Sequence, residues 1–223
     1  MHEEYQERVS PDPDALRATM SHERLATYLS AAGHDLHRAL ALYVWNARLG
    51  EAFHTPIQAV EVGLRNRICV ALAKEFGAAW WSSDRFLALL DAMDKRRIAD
   101  LEQVRRRLQK RQVAVATGQI VAGLSFGFWV ALLQKRYNPA LWSQHLRLAF
   151  PHLPAERSRA DLADRARRIA DLRNRISHHE PIFRNDVSKD FSETMTVLEW
   201  TCPETHRWLR PYCRVPEVMR QKP

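Results

Sequence analysis

Three side chains near the end of a predicted helix have the types and the spacing that phosphate-ester chemistry needs. Arg173, Asn174 and His178 lie within six residues, and Pro181 should stop their helix because proline lacks the backbone N–H. Asn174 and His178 are four residues apart and therefore share one helix face. An arginine binds phosphate through a fork of donors, and a histidine moves protons near neutral pH. Together these three residues provide the minimum that RNA cleavage without a metal ion requires.

The two residues after the motif are additional candidates for the same site. His179 and Glu180 follow His178 directly. Adjacent histidines on a helix point in different directions and cannot chelate one metal together, and the chain has no H-E-x-x-H sequence. We therefore expect no metal ion and no cofactor. A second interpretation of Glu180 is that it anchors Arg175 or Arg184.

Composition and charge indicate a helical protein with a polyanionic partner. Of the 223 residues, 46% are hydrophobic and only 7 are glycine, and the formal net charge is +8. A basic balance of this size favours nucleic acid over a membrane surface.

The rest of the composition predicts a cytoplasmic protein. The N-terminal residues have no apolar core of the kind a signal peptide contains, and no apolar run reaches the ~18 residues of a membrane-spanning helix. The cysteines are odd in number and lack C-x-x-C spacing, which argues against a disulfide framework or a zinc site: Cys69, Cys202 and Cys213.

Apolar residues at helical spacing predict an all-α fold with few or no strands. We expect residues 1–20 to form a loose, flexible arm and residues 21–223 to form a single helical domain. Thr55-Pro56 has the pattern of a helix cap followed by proline at the first helical position, which predicts a break there. The helices that we predict cover residues 21–32, 35–53, 55–76, 84–112 (one or two helices), 117–137, 141–150, 155–179, 187–200 and 203–209, with an irregular tail beyond Pro211.

Several features outside the motif have two interpretations. Leu64-Arg65-Asn66-Arg67-Ile68 is repeated verbatim at residues 172–176, so Arg65 and Asn66 either hold the motif helix in place or extend an RNA site together with Arg175. The basic face from Lys95 to Arg111, which includes Arg105 and Arg106, is either a phosphate track or a solvated face. Aromatic residues in the most apolar helix are expected in the core rather than in a base-stacking platform: Phe126, Phe128 and Trp129.

Four stretches between residues 41 and 183 carry a family resemblance: Ala41-Leu42-Tyr43-Val44-Trp45-Asn46, Leu64-Arg65-Asn66, Leu124-Ser125-Phe126-Gly127-Phe128-Trp129, and Leu172-Arg173-Asn174-Arg175-Ile176-Ser177-His178-His179-Glu180-Pro181-Ile182-Phe183. With these stretches the chain resembles the Abi-like (abortive infection, AbiD/AbiF type) proteins of bacteria. The last stretch is the most specific of the four.

The Abi-like family is held to be similar to the HEPN superfamily, whose members are all-α, often dimeric and frequently metal-independent endoribonucleases. The superfamily signature is Arg, a polar residue, three further residues and His, which falls here on Arg173, Asn174 and His178. The resemblance implies an all-α HEPN-like helical bundle with additional N-terminal helices, and defence against phage in the cytoplasm through RNA cleavage. It also implies a homodimer and, for a toxin–antitoxin pair, an antitoxin of protein or RNA.

RNA cleavage of this kind needs a base for the 2′-hydroxyl, a cation for the phosphorane and an acid for the leaving 5′ oxygen. His178 is the candidate acid or base, Arg173 would hold the phosphate, and Asn174 would orient either of them. The products would carry 2′,3′-cyclic phosphate and 5′-hydroxyl ends. One histidine per chain is too few for two proton transfers, and a dimer with facing sites would supply the second.

Three alternatives remain open at this level. The chain is either this nuclease, a non-catalytic RNA-binding module, or a partner-binding module of a defence or toxin–antitoxin system. Arg173 itself has the alternative of a surface ion pair with Asp171 or Asp161. The apolar stripe from Leu162 to Ile176 faces either a second copy or the chain's own core.

Overall fold

A computed structural model describes residues 12–223 of the chain, and within them it contains helices and no β-strand. The all-α prediction is confirmed. The α-helices are α1 (Pro13–Met20), α2 (His22–Ala31), α3 (Leu36–Phe76), α4 (Asp84–Met93), α5 (Lys95–Lys110), α6 (Thr117–Gly123), α7 (Phe126–Ala131), α8 (Arg147–Ala149), α9 (Arg159–Ser177), α10 (Val187–Thr201), α11 (Pro203–Leu209) and α12 (Val215–Arg220).

The central element is α3, a helix of 41 residues that contacts α2, α7, α8, α9, α10 and α12. Helix α9, which carries the motif, packs against α3, α7 and α10. A single cluster of buried side chains extends along the chain from Tyr28 to Val218. None of the described helices is long and apolar enough to cross a membrane.

The predicted break at Thr55-Pro56 is wrong, because α3 continues through it. A proline in a helix interior removes one backbone hydrogen bond and costs about 3 kcal/mol. Large apolar side chains on both sides of Pro56 are fully buried, including Phe53, Val60 and Leu64. Each contributes about 1.5–3 kcal/mol on burial, so the packing of both halves outweighs the cost of the proline.

Several further predictions about the elements need correction. The apolar helix expected over 117–137 is divided into α6, α7 and a 3-10 turn. The division occurs at Leu124 and Ser125, whose backbone is extended, and the Ser125 hydroxyl caps α7 by accepting a hydrogen bond from Phe128 N. The tail beyond Pro211 contains α12, which is held by a bond of 2.7 Å from Trp45 Nε1 to the Val218 carbonyl.

Part of the expected N-terminal arm is also helical, since α1 covers Pro13–Met20. Residues 1–11 of that arm lie outside the described residues. The helix expected over 141–150 is a π-helical stretch at Trp142–Leu146 followed by the short α8. The other helices agree with expectation to within a few residues, and α11 has the predicted bounds. The apolar stripe of α9 faces the chain's own core, since Leu162, Ala166 and Ile169 are buried there. The aromatic residues of α7 are core as predicted: Phe126, Phe128 and Trp129.

We predict that Gly123→Ala destabilises the contact between α5 and α6. A Cβ at residue 123 would lie 2.6 Å from Val104 Cγ1, and the β-branched Val104 side chain is buried and stiff. The free energy of unfolding in urea should fall by about 1–3 kcal/mol. Gly118→Ala in the same helix is the matched control, because nothing lies within 4 Å of its Cβ. An equal loss in both variants would contradict the close contact.

Candidate functional site

The start of the motif helix is fixed by a capping box. Ser158 N donates to Asp161 Oδ2 at 2.9 Å, and Asp161 N donates to Ser158 Oγ at 3.3 Å. The bond from the Ser158 backbone N–H and a second one from its hydroxyl lower the pKa of the Asp161 carboxyl. Helix α9 therefore begins at Arg159, slightly later than predicted, and keeps its carboxylate in the first turn where the helix dipole favours it.

The end of α9 is a Schellman turn. Glu180 N donates to the Arg175 carbonyl at 2.8 Å, and His179 N donates to the Ile176 carbonyl at 3.0 Å. His179 adopts the left-handed conformation with φ of 56°, which histidine tolerates better than most residues. His178 is thus the C-cap of α9, and the chain changes direction immediately after it.

Arg175 is bound by the segment that follows the turn. Its Nη1 donates to Asn185 Oδ1 at 2.7 Å, its Nη2 donates to the Pro181 carbonyl at 2.8 Å, and its Nε lies 3.4 Å from Glu180 Oε2. Asn185 Nδ2 in turn donates to Asp190, whose carboxyl pKa is raised by burial. These contacts favour the anchoring interpretation of Glu180, and they engage the guanidinium for which we predicted RNA contact.

Asn46 fixes the same segment from α3. Its side chain is buried, and its Oδ1 accepts hydrogen bonds from Ile182 N at 2.8 Å and Phe183 N at 3.1 Å. Sequence reasoning gave Asn46 no role. The available signal was an amide within an otherwise apolar helical stripe, because a buried polar side chain requires partners.

Helix α2 covers the turn from the other side. Arg24 Nη1 donates to the His179 carbonyl at 2.7 Å, and the Phe183 ring lies 5.2 Å from the ring of Tyr28. The backbone from His178 to Phe183 is therefore held by contacts from α2, α3 and α9 together.

Arg173 and Asn174 line a cleft of about 570 Å³, which we call the motif cleft. Its lining also contains Ser125, the N-cap of α7, and Phe126, the first residue of α7. Two of the stretches that carry the family resemblance therefore meet at one site. Both Arg173 and Asn174 are exposed to solvent there.

The motif cleft is lined by four arginines and two aspartates. Arg97 is nearly buried and is neutralised by Asp100 at 2.9 Å and Asp94 at 3.7 Å. Asp94 also pairs with Arg136 at 3.3 Å. Arg96 is exposed and has no ion pair with another described residue. The cleft consequently retains an excess of positive charge.

The Nε of Arg173 lies 3.7 Å from Glu61 Oε2, on the second half of α3. This carboxylate is neither of the partners that we considered, Asp161 and Asp171. Asp161 instead lies near Arg157 and Arg165. The side chain of Arg173 remains 44% exposed, so an anion from solvent has access to its guanidinium.

The other three candidates do not line the motif cleft. His178 is exposed at the end of α9, and His179 and Glu180 line a second, larger cleft of about 950 Å³. This C-terminal cleft, as we call it, also contains His54 and Tyr212. The structure thus places Arg173 and Asn174 at one cleft and His179 and Glu180 at the other, and His178 lines neither of them.

The remaining predicted RNA contacts are of two kinds. Arg65 is half-buried and Asn66 is exposed, and within the described residues no hydrogen bond joins this first copy of the repeat to the second. Arg105 and Arg106 are exposed on α5, where the Arg105 guanidinium lies 5.7 Å above the Trp81 ring. Their contact with RNA stays a prediction.

The described residues contain no group of three or more His, Cys, Asp or Glu side chains that could hold a metal ion. The chain matches no family model, no curated protein and no solved structure at a significant level.

We predict that Asn46→Ala loosens the segment after α9. It removes the acceptor of two backbone N–H groups, and an unsatisfied buried donor costs about 1–3 kcal/mol. The free energy of unfolding in urea should fall by this amount, and the backbone N–H groups of Ile182 and Phe183 should exchange faster with solvent. Asn46→Asp is the matched control, because it keeps an oxygen acceptor at this position. Unchanged exchange in Asn46→Ala would contradict the anchoring role.

Proposed function

We propose that the protein is a metal-independent endoribonuclease of the HEPN type, acting in phage defence or as a toxin. The proposal rests on one observation. Within the motif, Arg175 is bound by Asn185, but Arg173, Asn174 and His178 are exposed at the end of α9. An exposed group of arginine, amide and imidazole beside a basic cleft is suited to a phosphodiester substrate.

In the proposed reaction the 2′-hydroxyl of RNA attacks the adjacent phosphorus and the bond to the 5′ oxygen breaks. His178 takes the proton of the 2′-hydroxyl or supplies one to the leaving 5′ oxygen. Arg173 stabilises the negative charge that develops on the phosphorane, and Asn174 orients the phosphate. One His178 can perform only one of these two proton transfers. The His178 of a second copy would perform the other, which is why we propose a homodimer.

The second candidate function is RNA binding without cleavage. It is favoured by the exposed basic face of α5, which lies outside the motif. A binder would also need Arg173, but it would leave RNA intact. A third candidate, binding of an antitoxin or other partner, predicts a stoichiometric complex and no affinity for RNA alone.

We predict that Arg173→Ala and His178→Ala abolish RNA cleavage. General acid–base catalysis contributes about 10²–10⁴-fold to a rate, so the loss of His178 should lower cleavage by at least that range. The assay uses total bacterial RNA and tRNA in EDTA, and it identifies 2′,3′-cyclic phosphate ends. Circular dichroism should be unchanged, because both side chains are exposed.

Matched controls exist among exposed residues that line neither cleft. Arg167→Ala removes an exposed arginine of α9 whose partner is Asp164, and His152→Ala removes an exposed histidine outside both clefts. Both controls should cleave RNA normally. Cleavage by His178→Ala at the wild-type rate would refute the site, whereas intact RNA with every protein would favour the binding functions.

We also predict that cleavage depends on dimer formation. If a second copy completes the site, the activity per mole of protein should fall on dilution as the dimer dissociates. Sedimentation velocity over the same concentrations should show the sedimentation coefficient falling in parallel. Constant specific activity across a measured dimer-to-monomer transition would mean that one chain suffices.

A further inference from the structure

The segment Arg207–Arg214 has a surface unlike the rest of the described chain. Trp208 and Tyr212 are 65% and 64% exposed, and they are the exposed aromatic residues among the large hydrophobic side chains that the structure describes. Their ring centroids lie 6.1 Å apart, at an interplanar angle of 55°. We call these two rings and the neighbouring arginines 207, 210 and 214 the aromatic–arginine patch.

The backbone under the two rings is fixed. Leu209 is buried between them in sequence, and α11 packs against α10. The Cys213 side chain is half-buried, and its Sγ lies 3.6 Å from the Leu209 carbonyl. The rings are therefore presented to solvent by a rigid turn, so a ligand that stacks on them needs to order little of the protein.

The charge around the rings is positive. Arg210 is exposed and has no ion pair with any described residue. Arg207 pairs with Glu204 at 2.8 Å and Arg214 with Glu217 at 3.5 Å, but both pairs are on the surface, where water weakens them. Between residues 207 and 214 there is no acidic residue.

The patch is continuous with the end of the motif helix. Tyr212 and Arg214 line the C-terminal cleft together with His179 and His54. The lining of this cleft also contains Glu51, Glu180 and Glu217, so the phosphates of a bound chain would be held by the arginines of the patch, which ends beside the turn that follows His178.

We propose that the aromatic–arginine patch binds single-stranded RNA, with bases stacked on Trp208 and Tyr212 and phosphates held by the arginines. Exposed rings beside basic side chains are the surface that unpaired bases and their phosphates recognise. A duplex has its bases stacked within the helix and cannot offer their faces. A protein partner is less well suited, because two isolated rings are far from the ~800 Å² per partner of a stable interface.

This proposal rests on the proposed function, since the patch would deliver RNA to the nuclease site. Its test measures RNA binding alone and does not depend on cleavage. The probe is a fluorescently labelled single-stranded RNA of about twelve nucleotides, and the protein carries His178→Ala so that the RNA stays intact. Fluorescence anisotropy gives the Kd. Trp208→Ala and Tyr212→Ala should each raise it by about 5- to 150-fold, the range that loss of one stacked base produces.

Three controls distinguish stacking from other causes. Trp208→Phe keeps an aromatic face and should restore most of the affinity. Leu148→Ala removes a large side chain that is 74% exposed outside the patch, and it should bind like the parent protein. Arg210→Gln should reduce the slope of log Kd against log salt by about 0.7, whereas Trp208→Ala should leave this slope unchanged.

The outcomes separate the patch from the nuclease. Weaker binding in Trp208→Ala supports the patch even if the wild-type protein cleaves no RNA. Unchanged binding in Trp208→Ala and Tyr212→Ala overturns the patch even if the wild-type protein is a nuclease. Binding of duplex RNA with an equal dependence on Trp208 also overturns it. A sedimentation coefficient that falls in Trp208→Ala, with RNA affinity unchanged, would assign the rings to an interface between two copies.

Discussion

The buried stripe of α3 is the constraint on which the rest of the structure depends. At 1.5 Å per residue its 41 residues form a rod of about 60 Å, and six other described helices pack on it. Because the helix does not break at Pro56, Asn46 in its first half and Glu61 in its second half belong to one rigid element. Asn46 binds the backbone after α9, and Glu61 lies near Arg173 on α9. One helix therefore positions both the motif and the turn that ends it.

The two arginines of the motif are only two residues apart, but one is bound by the chain itself and the other is open to solvent. Arg175 points toward the segment after the turn and is engaged by Asn185, Pro181 and Glu180. Arg173 points toward the motif cleft and has one carboxylate at 3.7 Å, so water and an incoming anion have access to it. This difference follows from the helix itself, since residues two apart lie on nearly opposite faces. An arginine-rich helix end can thus anchor its own turn and still present a cation to a ligand.

Helical spacing predicted the fold class and most of the helices, because amphipathic periodicity is a local property of the sequence. The predictions failed where packing against residues distant in the sequence determines the structure. The local signal at Thr55-Pro56 is that of a helix start, and only the burial of Phe53 and Val60 by other elements overrules it. The motif was visible as a spacing, but Glu61 lies more than a hundred residues before Arg173 and no sequence pattern connects them. Asn46 was missed although its amide interrupts an apolar stripe, because nothing in the sequence connects it with Ile182 and Phe183.

The turn at the end of α9 decides which side chains share a cleft. A helix that continued through His179 would keep the motif side chains on neighbouring faces of one cylinder. The left-handed φ of His179 instead places it and Glu180 in the C-terminal cleft, while Arg173 and Asn174 line the motif cleft. His178 caps the helix between the two. Chemistry that uses His178 with Arg173 therefore needs either a substrate that crosses the helix end or a second copy that brings its own side chains to it. The turn that holds the end of α9 in place thus keeps His178 out of the motif cleft until a substrate or a second copy joins them.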